Sequence, residues 1–195
     1  MDEKKLKNIF LSASIPTASR NPKYYETCDI TAIRDTIIAL TSVVLTTKRL
    51  IWGGHPAITP IISKVLTSFN ENISEHVVLY QSEWFNQYFP EENKDIPSIV
   101  YTKKKDTIEE SLEEMRNHMI GDNKFAAAFF IGGMEGVEEE FAIFKHYHPD
   151  SPTFPIASTG AAAKIIFDNH KEDYDKNLEN NLAYMSLFRE ILKNI

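Results

Sequence analysis

The chain has 195 residues, 43% of them hydrophobic, enough to bury the core of one ordinary domain. Its 21 Lys and Arg against 28 Asp and Glu leave a formal net charge of -7, which excludes broad contact with a nucleic-acid backbone or an anionic membrane surface, since both need clustered cations. The single cysteine, Cys28, excludes an intramolecular disulfide and any multi-cysteine zinc site, and no stretch approaches the roughly 20 apolar residues of a membrane span.

In chain order, short apolar runs alternate with stretches of helical period, the pattern of a parallel sheet covered by helices. The apolar run 9–16 is too short for the core of a secretion signal, and the reading is a reduced, cytoplasmic protein. A strand is predicted over 8–15. A long connection, "SIPTASRNPKYYETCD", leads into a helix over 29–46, whose Ile30, Ile33, Ile37, Leu40 and Val44 form one apolar face. A strand over 49–52 and a helix over 58–70 follow, then a strand over 76–81 with a short helix over 82–89. The polar stretch 90–97 reads as a loop. Further strands are predicted over 98–102, 125–131 and 154–157, followed by helices over 107–119, 137–146 and 161–168 respectively. The last helix, 176–192, carries Leu178, Leu182, Met185, Phe188 and Leu192 as a stripe for packing or oligomerisation. The strands are continuously apolar, as strands buried on both faces are. The expected architecture is one α/β domain over 1–195, a Rossmann-like open, mostly parallel sheet of five to six strands with helices on both faces.

Glycine placement points to a site. Of seven glycines, Gly53 and Gly54 follow the second predicted strand, Gly132, Gly133 and Gly136 follow the fifth, and Gly160 follows the sixth. All these positions fall at the carboxyl edge of a parallel sheet, where ligands bind in the crevice between loops. Glycine also serves ordinary sharp turns there. In "FFIGGMEGVEEEF" the strand stops at Gly132, and Met134, Glu135 and Gly136 lead into a helix whose free amides suit a phosphate or a ribose. Glu138 and Glu140 read as complements to the helix dipole, while Glu135 or Glu139 can accept hydrogen bonds from ribose hydroxyls or a base.

Other strand ends add candidates. Ser12, Ala13 and Ser14 are small and can either contact phosphate or sugar or pack tightly. Gln81 can read a base edge and Trp84 can stack on it, or Ser82 can cap the next turn with Trp84 and Phe85 in the core. Ser158, Thr159 and Gly160 suit phosphate binding and equally an ordinary N-cap. Arg34 is the arginine best placed to reach the crevice, followed by Arg20. The six histidines form no metal set, G-x-S-x-G and G-x-x-x-x-G-K-[ST] are absent, and no G-x-G-x-x-G follows the first strand. No metal and no cofactor is expected.

"NIFLSASIP", "RLIWGGHPAITP", "HVVLYQSEWF" and "FFIGGMEGVEEEF", in that order, resemble the SLOG superfamily, which joins the Smf/DprA fold to the cytokinin-activating Lonely Guy enzymes. The resemblance covers about residues 8–168 and is most similar to bacterial branches found with TIR and sirtuin domains. It implies a Rossmann-like fold, a nucleotide or nucleotide-derived ligand, and a setting in anti-phage or stress signalling, with homo-oligomerisation and a separate TIR or other effector protein as partners. Lonely Guy enzymes carry P-G-G-x-G-T-x-x-E and remove the base from a nucleoside monophosphate with that glutamate and an arginine. Here one extra residue separates the glycines, and Ile131 and Val137 replace Pro and Thr. The glutamate falls on Glu140 beside Glu139, the two candidate catalytic residues, and no matching arginine segment is found. Gly53, Gly54 and His55 resemble the superfamily's other ligand loop. The first reading is a sensor or binding domain for an ADP-ribose-like or cyclic-nucleotide signal, with phosphate facing the helix starts after Gly54, Gly133 and Gly160, ribose near Glu135 or Glu139, and base near Gln81. The second is a nucleoside-phosphate N-glycosidase.

Overall fold

The computed structural model describes residues 6–69 and 73–195. Among them, strands β1 (Asn8–Ser14), β2 (Arg49–Gly53), β3 (Val77–Ser82), β4 (Ile99–Thr102), β5 (Phe125–Gly132) and β6 (Thr153–Ile156) form one sheet in the order β4-β3-β2-β1-β5-β6. Every neighbouring pair is parallel. The fold is a Rossmann-like α/β fold. The sheet grows from β1 in one direction through β2, β3 and β4, and in the other through β5 and β6. Connections leaving the two sides of such a switch point diverge and open a crevice beyond the carboxyl ends of the strands.

The helices are α1 (Pro22–Tyr25), α2 (Ile30–Val44), α3 (Thr59–Leu66), α4 (Ile108–Arg116), α5 (Glu135–Tyr147), α6 (Ala161–Asn169), α7 (Asn177–Asn180) and α8 (Tyr184–Lys193). Local chemistry sets several starts. The Asp29 side chain accepts from the Ala32 amide at 2.8 Å and begins α2, and Thr107 with Glu110 forms a reciprocal capping box at α4.

Alternation along the strands sorts their side chains into two cores. Ile9, Leu11, Leu50, Trp52, Leu79 and Phe129 face the layer of α2, α3 and α8. Phe10, Ile51, Tyr80, Ala128 and Phe130 face α4, α5 and α6. Phe10 stacks on Phe144 of α5 with ring centroids 5.6 Å apart, and Phe129 meets Phe188 of α8 edge-on at 5.4 Å. Burying each such side chain contributes about 1.5–3 kcal/mol, which is why the strands carry no polar alternation.

Several elements depart from their predicted form. The helix predicted over 176–192 is two helices, because Asn181 is extended (φ -90°, ψ 116°) and its side chain accepts from the Ala183 amide at 2.8 Å, a turn that stops α7. The break shifts the apolar face to Tyr184, Leu187, Phe188 and Leu192, which α8 buries, while Leu182 is left 68% exposed. The segment Glu83–Tyr88 forms 3-10 turns rather than an α-helix, capped by Ser82, whose hydroxyl accepts from the Trp84 amide at 3.3 Å. A further 3-10 turn, Glu91–Asp95, lies in the predicted loop. The helix predicted over 107–119 ends as α4 and continues as a π-turn, Asn117–Gly121. The predicted end of the helix at Asn70 lies outside the described residues. Among the described residues no helix is long and apolar enough to cross a membrane.

The long connection after β1 closes against the start of α6. The Asp29 amide donates to the Thr159 carbonyl at 3.2 Å, and the Ala161 amide to the Thr27 hydroxyl at 2.9 Å. Gly160 makes this possible: its backbone (φ 71°, ψ -159°) lies in a region open essentially to glycine alone, and a Cβ there would stand inside the Thr27 carbonyl. Gly160→Ala should therefore lower unfolding free energy by about 2 kcal/mol or more, read as a fall in the urea midpoint. An unchanged midpoint would show that the connection yields freely.

Candidate functional site

A cavity of about 900 Å³ opens at the carboxyl edge of the sheet. The ends of β1, β2 and β3 supply its floor through Ser12, Ala13, Ser14, Gly53, Gly54, His55 and Gln81. Its walls are the amino end of α5, from Met134 to Glu140, and the face of α4 that carries Ile108, Leu112 and Arg116. On the β3 side the turns after that strand add Phe85, Tyr88 and Phe89, an apolar rim.

Arg116 joins the two walls. Its Nη1 pairs with the Glu139 carboxylate, and its Nε lies 3.4 Å from Glu140 Oε1. The Arg116 and Glu140 side chains are 12% and 13% exposed, while Glu139 is 56% exposed. Gly136 permits the approach, since a Cβ there would stand 2.8 Å from Arg116 Nη2. Burial pushes the Glu140 carboxyl above its ordinary range, opposed by the Arg116 charge and by the Ser12 hydroxyl. Ser12 is buried beneath this cluster, and its Oγ reaches no partner in full hydrogen-bond geometry among the described residues. A carboxyl raised by burial and held beside a guanidinium is a pairing suited to acid–base chemistry.

At the top of β2 and β3 the carboxamide of Gln81 lies across Gly54, where a Cβ would fall inside it. Gln81 is 4% exposed, and its side chain has no hydrogen-bond partner among the described residues, so its polar atoms are turned to the cavity. His55 Nδ1 accepts from the Ala57 amide at 3.2 Å, leaving Nε2 as the protonated nitrogen. Burial, with the nearby Arg20 cation, lowers the His55 pKa to about 4, so the ring is neutral at pH 7.

The connection after β1 lies over the start of α5. Asn21 Nδ2 donates to Glu135 Oε1 at 3.2 Å, Lys23 Nζ lies 3.5 Å from Glu138 Oε2, and the Tyr24 hydroxyl donates to the same Glu138 carboxylate. Burial, reinforced by that carboxylate, raises the Tyr24 pKa. Glu135 and Glu138 thus hold the chain's own loop.

The cavity gathers Ser12, Ala13, Ser14, Gly53, Gly54, His55, Gln81, Met134, Glu135, Gly136, Glu139 and Glu140 of the residues singled out in the sequence. It does not gather the rest. Arg34 sits on α2, on the other face of the sheet, with its side chain 62% exposed and paired with Asp35. Ser82 is spent on the cap of the following turn. Gly132 and Gly133 turn inward: the Gly132 amide donates to Thr159 Oγ1 at 2.8 Å, the Gly133 amide to the Ser14 carbonyl at 2.9 Å, and the Ala162 amide to the Gly133 carbonyl at 3.2 Å. Ser158 bonds the Tyr184 hydroxyl at 3.1 Å, Thr159 is fully buried, and Gly160 is packed on Thr27.

Arg116 is a cavity-lining residue that the sequence reading missed. Its signal was present: Leu112, Met115, Arg116 and Met119 recur at helical spacing, so an arginine occupies the inward stripe of α4. Glu109 and Glu113 on the same wall were missed as well. Among the described residues no group of three or more His, Cys, Asp or Glu is placed to hold a metal ion.

The family model of the SLOG cluster3 family matches residues 23–192, and the chain belongs to that family. None of the curated proteins compared with the chain matches it.

Two measurements test this geometry. Arg116→Gln leaves Glu140 without its counter-charge and should cost roughly 3 kcal/mol at pH 7. The deficit against the parent should shrink as pH falls and Glu140 takes up a proton, whereas a pH-independent deficit would assign it to packing. For His55, a folded pKa near 4 against about 6.5 unfolded means that the unfolded chain binds more protons across that window, so this residue makes stability rise with pH between them. His55→Asn should flatten that rise, and ring NMR should give a midpoint near 4. A midpoint of 6.5 would mean a solvated ring.

Proposed function

We propose that the chain binds a nucleotide-derived small molecule, of ADP-ribose-like or cyclic-nucleotide kind, in the cavity at the carboxyl edge of β1, β2 and β3. The observation that carries this reading is the Gln81 carboxamide, 4% exposed and without a partner among the described residues, facing a cavity of about 900 Å³. A base edge, with donors and acceptors side by side, satisfies both the N–H and the C=O of that carboxamide. The apolar rim of Phe85, Tyr88 and Phe89 offers ring faces to the same base. Membership of a SLOG family supports a nucleoside-related ligand. In this reading ribose lies toward Glu139, and an oligomer or a separate TIR or other effector protein reads the occupied state.

The Arg116, Glu139 and Glu140 cluster favours a second reading, hydrolysis of an N-glycosidic bond. The C1′–N bond breaks with its electron pair leaving on the base, and water adds its oxygen to C1′. Glu140 accepts the water proton and delivers a proton to the departing base nitrogen. Glu139 faces the positive charge that develops on the sugar ring, and Arg116 holds both carboxylates in place.

A panel of nucleotides and ADP-ribose derivatives separates the readings when both melting temperature and products are followed. A ligand at 100 times its Kd should raise the melting temperature by about 5–10 °C, and Gln81→Ala should remove most of that rise. A rise without released base supports binding alone. Base release that disappears in Glu140→Gln, with the rise retained, supports the glycosidase. No response to any member of the panel would overturn both.

A further inference from the structure

We infer that Arg20 is the residue that takes the anionic group of the ligand, and that residues 15–28 form a strap that holds it over the cavity. The inference deepens the nucleotide reading and rests on it for the class of ligand. The charges around the cavity lead to Arg20. Five carboxylates line it, those of Glu109, Glu113, Glu135, Glu139 and Glu140, against the two cations Arg20 and Arg116. Arg116 is already shared between two carboxylates. Arg20 is exposed and has no ion pair among the described residues, and its nearest titratable neighbour on the cavity floor, His55, is neutral at pH 7. The Gly133 amide after β5 is not open to an anion, because it is bonded to the Ser14 carbonyl. A phosphate entering this cavity therefore meets a free positive charge at Arg20 and repulsion along both helical walls.

The strap fixes where that charge stands. The Arg20 amide donates to the Thr17 carbonyl at 3.1 Å, and the next residue, Asn21, is the first latch to α5 through Glu135. Lys23 and Tyr24 add the second latch at Glu138, and Thr27 is held by Ala161 at the start of α6. Arg20 is a binding residue here, and Tyr24 a positioning residue.

The test uses ribose 5-phosphate and ribose as probes, titrated into the full chain and followed by ¹H–¹⁵N NMR. Ribose 5-phosphate should give saturable shifts at the Arg20 side-chain N–H and at the Ser14 and His55 amides, and ribose should not. Arg20→Gln should raise the Kd about tenfold or more and Arg20→Lys by less. Tyr24→Phe should weaken binding and broaden or move the Arg20 side-chain signal. An unchanged Kd in Arg20→Gln, saturable shifts confined to Met134–Gly136, or no saturable shift at all would overturn the inference. Nucleotide binding whose dependence on the phosphate survives Arg20→Gln would remove this inference alone. Ribose 5-phosphate binding through Arg20, with no nucleotide bound, would remove the base-binding reading alone.

Discussion

Arg116 stands between Glu139 and Glu140, and the cavity has its present shape because of that contact. Two carboxylates from one turn of a helix repel each other, and the buried one, Glu140, is poorly solvated. Without the cation the buried one would be pushed further toward its protonated form. The guanidinium comes from the last turn of α4, so the contact also sets how closely α4 and α5 approach over β1. The absence of a side chain at Gly136 lets the planar group lie against the helix. The closeness of the two walls follows from one ion pair and one missing Cβ, while burial of the Glu140 carboxyl works against the same ion pair.

The fold was largely legible in the sequence. Both-face burial forces continuous apolar strands, and helices that cover a sheet show a 3.6-residue period, so the order of strands and helices could be read directly. The site was less so. Ser12, Gly54, His55 and Gln81 come together at the cavity because they stand at strand ends, and the topology of a parallel sheet brings strand ends together. Arg116 was missed because it arrives from the far end of a helix, and its partners lie more than 20 positions away. No local pattern announces such a pairing except a charge on an apolar stripe. Arg34 was preferred to Arg20 because helix spacing is visible in a sequence, whereas the side of the sheet that a helix covers depends on handedness and packing.

The two glycine doublets illustrate the same limit. As sequence they look alike, each closing an apolar strand. In the fold they do different work. Gly54 leaves room for a side chain from the neighbouring strand, and so helps shape a surface that a ligand can touch. Gly132 and Gly133 tie the end of β5 to β1, to the Thr159 hydroxyl after β6 and to α6, and so shape the interior. A glycine-rich turn at a sheet edge thus indicates close approach without indicating what approaches.

The connection after β1 is fastened at two places, to α5 through Asn21, Lys23 and Tyr24 and to α6 through Thr27. A segment fastened at two places is a bridge rather than a hinged door. Traffic into the cavity must then pass beneath or beside it, and the opposite bank, where Tyr88 is 73% exposed and Glu109 and Glu113 lie at the surface, is the side left open to solvent. A molecule entering from that bank reaches the aromatic rings first and the arch of the bridge last.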